Sequence, residues 1–334
     1  MIIFRVSAGP NSSLRRWWRS VPLAEAARAM GVESRFVVAG SLPEGASDID
    51  FPVSASEATG VEAVDELAAL ARGEDAVIVD DAEFGTVDFA RLRHVLDRMP
   101  FAVIADRNPA YVAATAFVNP NADAPLAGAV ATAEARLVLG ARFAPIRADI
   151  ARAMTPDPPP EGAPPRLLVA AGAYADIAAW ERLASLVAGA KSAFEIDTVA
   201  APGVDARGVA EALARTGRPA RVLTGEAGVI GAITGAQVAV CAARWTALEL
   251  ACRGVPALYP SDDPHLRAMA ELGCGWASPD GETASRLDLL LTSTRARDRM
   301  TQLGTRFIDG AGAERLFEKL AKYLALPVKP PDRH

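Results

Sequence analysis

The chain has 334 residues and a formal net charge of −6, with 51% hydrophobic and 23% charged residues. This balance excludes a wholly disordered chain, a fibre and a disulfide miniprotein. It also argues against a general nucleic-acid binder, which carries a basic surplus or stripe. At about 150 residues per domain, the length predicts two domains.

Three cysteines, Cys241, Cys252 and Cys274, are an odd number without CxxC spacing. They read as buried thiols in a reduced cytoplasm. The three histidines, His94, His265 and His334, form no HxxH or HExxH pair. No metal site and no cofactor are therefore expected. The start, Met1-Ile2-Ile3-Phe4-Arg5-Val6, reaches a charge at once and lacks a basic leader. Stretches of about 18 uncharged apolar residues are absent too, so neither export nor a membrane span is expected.

In chain order, the first half alternates short apolar runs with helical periodicity. Strands are expected at Ile2–Val6, Arg35–Val38, Ala76–Asp80, Phe101–Ala105, Ala116–Val118 and Arg136–Leu139. Helices are expected at about Leu14–Met30, Val61–Arg72 and Val87–Arg98. A proline-rich stretch, 155–165, reads as a stiff extended linker, because proline donates to neither helix nor ladder. The second half repeats the rhythm. Its strands are expected at Leu167–Ala170, Phe194–Val199, Arg221–Leu223, Gln237–Cys241 and Ala257–Tyr259. Its helices are expected at Ile177–Val187, Ala206–Arg215, Thr246–Arg253, Pro264–Leu272 and Ala313–Leu324. Near-continuous apolar strands separated by helices predict parallel sheets covered on both faces. The expected organisation is an α/β pair of Rossmann-type domains, 1–154 and 166–326, with a tail at 327–334. In such sheets ligands bind beyond the carboxyl ends of strands, and the cleft between the two domains is the expected site.

The residues at those ends carry the candidate chemistry. After the first strand, Ser12 and Ser13 lead into a helix bearing Arg15, Arg16 and Arg19. A polar loop entering a helix holds an anion on backbone N–H groups, and the arginines add charge for phosphate or carboxylate. The plainer reading is a capped surface helix with solvated arginines. Trp17 and Trp18 read either as interface core or as a platform for a sugar or base. Asp80, Asp81 and Asp106 close strands, where carboxylates suit general base work or sugar hydroxyls, although turns favour aspartate anyway. In the second half, Gly172 lies in a small-residue turn that lets backbone approach a phosphate. Thr246 near a helix start would bind phosphate; Glu249 fits a capping box or the two hydroxyls of a ribose. His265 follows Asp263-Pro264 at another helix start.

Together these segments resemble the two-domain nucleotide-sugar proteins of GT-B architecture. Among them the chain is most similar to the UDP-2,4-diacetamido-2,4,6-trideoxy-β-L-altropyranose hydrolases of bacterial pseudaminic acid synthesis. The resemblance rests on Arg19–Ala24, Ala76–Asp80, Phe101–Asp106, the run Leu139-Gly140-Ala141-Arg142-Phe143-Ala144-Pro145-Ile146-Arg147, and Thr246–Glu249 with Gly254-Val255-Pro256. It implies a UDP-sugar or other nucleotide-sugar ligand and a role in flagellin or surface glycans. Nucleotide contacts would fall on Gly172, Arg244, Thr246 and Glu249. Sugar contacts would fall on Ser12, Ser13, Arg19 and Asp81, and catalysis on Arg16, Asp80, Asp106 and His265.

The departures from that family are specific. Its Gly-x-Gly-His loop is here Ser13-Leu14-Arg15-Arg16, so Arg16 replaces the presumed base. Arginine stays protonated and takes no proton from water. Gly-Gly-Ser-Thr has become Ala243-Arg244-Trp245-Thr246, and a later Asn-Gln pair has become Pro264-His265. Three readings follow: a hydrolase with a relocated base, a glycosyltransferase using the same donor, and a non-catalytic nucleotide-sugar binder.

Overall fold

A computed structural model describes residues 1–8, 14–43, 46–71, 76–107, 113–125, 135–153, 162–172 and 175–328. Most of the proline-rich stretch 155–165 and of the tail 327–334 lies outside the described residues, as do Ser12 and Ser13.

The elements run β1 (Ile2–Ser7), α1 (Arg15–Ala29), β2 (Ser34–Ala39), β3 (Val53–Ser56), α2 (Gly60–Leu70), β4 (Ala76–Asp80), α3 (Thr86–Leu96), β5 (Phe101–Ile104), β6 (Ala116–Asn119) and β7 (Arg136–Leu139). They continue with α4 (Ala148–Ala151), β8 (Arg166–Ala170), α5 (Ile177–Ala188), β9 (Glu195–Ala200), α6 (Ala206–Ala214), β10 (Ala220–Thr224), α7 (Gly225–Gly235), β11 (Val238–Cys241) and α8 (Arg244–Cys252). The last are β12 (Ala257–Tyr259), α9 (Pro264–Glu271), β13 (Trp276–Ala277), α10 (Thr283–Thr292), α11 (Thr294–Phe307) and α12 (Gly312–Tyr323). Among the described residues no helix is long and apolar enough to cross a membrane.

Two compact units result: residues 1–147 with 311–334, and residues 148–310. The first holds a seven-stranded sheet in the order β3-β2-β1-β4-β5-β6-β7. The second holds a six-stranded sheet in the order β10-β9-β8-β11-β12-β13. All strand pairs in both sheets are parallel. The strand order reverses between β1 and β4, and again between β8 and β11. Loops leaving those neighbouring strands diverge, which opens a crevice at each carboxyl end.

The alternation of strand side chains sorts the core of the first unit. Ile2, Phe4 and Val6 of β1 and Ile78 of β4 pack with Trp17 and Leu23 of α1 and with Leu316, Phe317 and Leu320 of α12. Ile3, Val77 and Val79 face the other way, against Val64 and Leu67 of α2 and Leu92 of α3. The final helix therefore belongs to the first unit, where it lies beside α1. In the second unit, Leu167, Val169, Val238 and Val240 pack with Trp180 and Leu183 of α5 and with Leu213 of α6.

The local sequence explains several boundaries. Asp176 caps α5 by accepting from the Ala179 N–H at 2.9 Å. Asp263 caps α9 while Pro264 sits in its first turn, where a missing N–H costs nothing. β3, β13, α4, α7, α10 and α11 are elements that the apolar periodicity did not point to.

Two glycine substitutions test the packing with opposite signs. A methyl at Gly312 would overlap the backbone carbonyl of Ala144, so Gly312→Ala is expected to cost about 1–3 kcal/mol. Gly231 lies inside α7 with nothing within 4 Å of its missing Cβ, so Gly231→Ala should stabilise by about 0.5–1 kcal/mol. Urea midpoints check both, and equal shifts for the two variants would contradict this packing.

Candidate functional site

At the β1/β4 crevice the sequence places arginines on one side and aspartates on the other. Arg15, Arg16 and Arg19 lie in the first turns of α1, at spacings that share one helix face. Asp80 is the last residue of β4, beside Val6 of β1, and Asp106 follows the end of β5. Asp106 is held from behind, since its carbonyl accepts from the Asn121 amide at 3.1 Å.

Arg19 is the hub. Its Nε and Nη2 donate to the two oxygens of Asp80, each at 2.5 Å. Its Nη1 donates to Asp106 Oδ1 at 2.6 Å. Arg15 Nη2 donates to the other Asp106 oxygen, also at 2.6 Å. Arg16 stands slightly apart, with Nε 3.6 Å from Asp80 and Nη2 3.7 Å from Asp106. The side chains of Arg19 and Asp80 are both 0% exposed, whereas those of Arg16 and Asp106 are each 15% exposed.

The electrostatics follow from burial opposed by partners. Burial opposes charge on Arg19, but Asp80 and Asp106 outweigh it and raise the Arg19 pKa. Burial likewise opposes ionisation of Asp106, but Arg19 and Arg15 outweigh it and hold that carboxyl well below the usual range. At Asp80 burial dominates and raises the pKa, with the charge and hydrogen bonds of Arg19 pulling against it. Asp80 thus gives both oxygens to a buried guanidinium, and Asp106 is a weakened base.

Asp81 does not join this cluster. One residue on from Asp80, it turns toward the opposite face of the sheet. Its Oδ2 accepts from Arg5 Nε at 3.0 Å, and its Oδ1 accepts from the Glu83 N–H at 3.0 Å. Arg5 also donates to the Ala58 carbonyl at 2.7 Å and contacts Glu66 at 3.5 Å. The expected sugar contact is, in the structure, part of a buried clamp between β1, β4 and α2. The tryptophans are likewise packed: Trp17 is 0% exposed against Phe36 at 5.0 Å between ring centroids, and Arg147 lies over Trp18 at 4.0 Å.

The β8/β11 crevice has a different character. Gly172, just beyond β8, has φ of +109°, a left-handed conformation that favours glycine. A Cβ there would lie 3.6 Å from the Cβ of Ala243, so the turn after β8 runs close to the start of α8. The residue that caps α8 is Ala243, which supplies no side-chain cap, and the first turn holds no acidic residue. Arg244 opens the helix and Thr246 lies in the same turn, both half-buried; Glu249 follows and is buried. Gly172, Arg244 and Thr246 are therefore brought together at one crevice, at the positive end of a helix dipole.

His265 serves this crevice from beneath. It is 0% exposed, and its Nε2 lies 3.0 Å from the Arg244 carbonyl, which makes that nitrogen the donor. Asp263 caps α9 through the N–H groups of His265 and Leu266 and lies 3.5 Å from Arg244 Nε. The His265 ring ties α9 to the first turn of α8. Arg5 and Asp263 are the site-building residues that sequence reasoning missed. Asp263 was signalled by Asp-Pro at a helix start, and Arg5 by a lone charge inside an apolar strand.

No family model matches the chain, and no curated protein matches it. Solved structures do. A glycosyltransferase from Rickettsia africae ESF-5 superposes with a TM-score of 0.68 at 11% identity, over 96% of this chain and 97% of that one. A putative UDP-N-acetylglucosamine 2-epimerase from Listeria monocytogenes gives 0.68 at 15% identity, over 100% of this chain and 99% of that one. The glycosyltransferase SnogD from Streptomyces nogalater gives 0.61 at 16% identity, over 96% and 99%. The likeness establishes the fold: two Rossmann-like parallel-sheet units of the GT-B type.

The arginine–aspartate cluster has a pH signature. A carboxyl held low by its partners adds stability above the ordinary aspartate pKa of about 3.9 and loses it as pH falls toward the depressed folded value. Asp106→Asn is therefore expected to flatten the loss of stability below about pH 4. Arg19→Met, which strands a buried carboxylate, should cost about 3–5 kcal/mol. Denaturant unfolding from pH 3 to pH 7 checks both, and an acid limb unchanged by Asp106→Asn would contradict the assignment.

Proposed function

We propose that the chain is a nucleotide-sugar enzyme that transfers a glycosyl group from a nucleoside-diphosphate sugar to an acceptor hydroxyl. The observation that carries this reading is the β8/β11 crevice. There a left-handed glycine, an uncapped helix start, Arg244 and Thr246 converge. Such a constellation suits a diphosphate: backbone N–H groups and the dipole take its charge, and Gly172 permits close approach. Glu249, further along α8, is the carboxylate for ribose hydroxyls. The likeness of the fold to glycosyltransferases and to UDP-N-acetylglucosamine 2-epimerases supports the same reading.

In the reaction, the bond between the sugar's anomeric carbon and the diphosphate oxygen breaks, and the acceptor oxygen bonds to that carbon. Negative charge grows on the leaving diphosphate. Arg244 and the first turn of α8 stabilise it most when it is fully developed, which is what lowers the barrier. The proton of the acceptor leaves to solvent or to the departing phosphate.

The likeness of the fold to glycosyltransferases favours transfer over hydrolysis. Asp80 is clasped by Arg19, Asp106 is held ionised by Arg15 and Arg19, and His265 is buried against a carbonyl. The run Leu139–Arg147 supports the alternative, a hydrolase of UDP-linked deoxyamino sugars in pseudaminic acid synthesis. The two readings separate on the need for an acceptor.

UDP release from a UDP-linked N-acetylhexosamine, assayed with and without a panel of sugar acceptors, is expected to be slow in water alone and fast with the right acceptor. Rapid release without acceptor would replace transfer by hydrolysis. By calorimetry, Arg244→Gln is expected to weaken UDP binding by about 1.5–3 kcal/mol, the worth of a charge-assisted hydrogen bond. Unchanged affinity in a folded variant would move the nucleotide elsewhere.

A further inference from the structure

The second unit carries a pocket at the opposite ends of its strands from the β8/β11 crevice. α9 follows the carboxyl end of β12, and β13 runs parallel to β12, so the turn at 272–275 lies at the amino ends. Beside that turn a cavity of about 460 Å³ opens between the end of α9, β13 and α11. A volume of that size suits a small organic molecule. Its walls are largely apolar: the half-buried Trp276, Leu272 and Leu303, and the buried Met300. Gly273 and Gly275 line it too, and a side chain at Gly273 would run into Leu303.

Two charged side chains of opposite sign line the same cavity, Glu271 from α9 and Arg299 from α11. Among the described residues neither makes a hydrogen bond or an ion pair, with the other or with any third group. Each is reinforced by a neighbour of its own sign. The last turn of α9 holds no basic residue, so the negative end of its dipole adds to Glu271. Arg295 stands one turn before Arg299 on the exposed face of α11 and is likewise unpaired among the described residues. Arg297, by contrast, is spent on the carbonyls of Leu290 and Leu291 at 2.7 and 2.9 Å. Arg267, one turn before Glu271, and Asp298, next to Arg299, pair with neither. The cavity is therefore negative on its α9 side, positive on its α11 side and apolar between.

We propose that this pocket binds a small zwitterion with an aromatic body, of the class of the aromatic α-amino acids. Its ammonium group pairs with Glu271 at the negative end of α9, and its carboxylate pairs with the guanidinium of Arg299. Its ring packs on Trp276, Met300 and Leu303. A ligand of one sign would meet one partner and one like charge, whereas a zwitterion satisfies both walls. The site is separate from the β8/β11 crevice and does not rest on the nucleotide reading.

Calorimetry of the full chain tests this with L-phenylalanine and three probes that each lack one part of it. 3-Phenylpropionate lacks the ammonium group, 2-phenylethylamine lacks the carboxylate, and glycine lacks the aromatic body. L-Phenylalanine is expected to bind saturably, and each of the other three about tenfold or more weaker. Arg299→Gln and Glu271→Gln should each weaken L-phenylalanine binding about tenfold or more, since each removes one charged partner. Glu271→Gln should also bind 3-phenylpropionate at least as well as wild type, because a like charge has gone. Both variants should keep the wild-type Tm within a few degrees, as both side chains are exposed and unpaired among the described residues. No saturable binding of L-phenylalanine to wild type, equal binding of any of the three partial probes, or unchanged binding in folded Arg299→Gln or Glu271→Gln overturns the proposal.

Discussion

Arg19 is a guanidinium that cannot be left alone. It is fully buried at the junction of a helix and two strand ends, where an uncompensated charge costs several kcal/mol. Asp80 and Asp106 compensate it, and in doing so they lock α1 against the carboxyl ends of β4 and β5. The position of Arg15 and Arg16 follows, because they project from the same helix turns. The electrostatics of the crevice follow as well, because both carboxylates are paired with Arg19. The same rule acts one residue later, where Asp81 compensates the buried Arg5 on the opposite face of the sheet.

The two units solve the same topological problem with different chemistry. In each sheet the strand order reverses once, and the loops at that point diverge. The first unit fills the point with long charged side chains and their partners. The second leaves it small: Gly172 in a left-handed turn and Ala243 at the helix start, with Asp263 and the buried His265 holding the start of α9 to it. Small residues and an uncapped helix start suit a diphosphate.

Much of the fold was legible because short apolar runs bounded by turn residues have few alternatives. Ala76–Asp80, Arg136–Leu139 and Ala257–Tyr259 have the expected bounds. β3 was illegible because Val-Ser-Ala-Ser at a sheet edge has no apolar run. β13 is two residues long. α7 hid behind its glycines, each of which argues against helix locally but is overridden by packing. At the site, the residues that converge were legible one at a time, from strand ends and helix starts. Their pairing was not. Whether Asp80 faces a substrate or an arginine depends on which side of the sheet α1 covers, and that is a long-range fact. The same holds for His265, whose partner is the carbonyl of a residue 21 positions away.

The central claim is that a nucleoside diphosphate sits at the start of α8. Hydrogen exchange of the full chain with and without UDP addresses it directly. The account predicts slowed exchange in peptides covering 242–250 and 170–172, with no comparable change at β1 or α1. Protection confined to the first unit, or protection nowhere in the presence of saturating UDP, would contradict it.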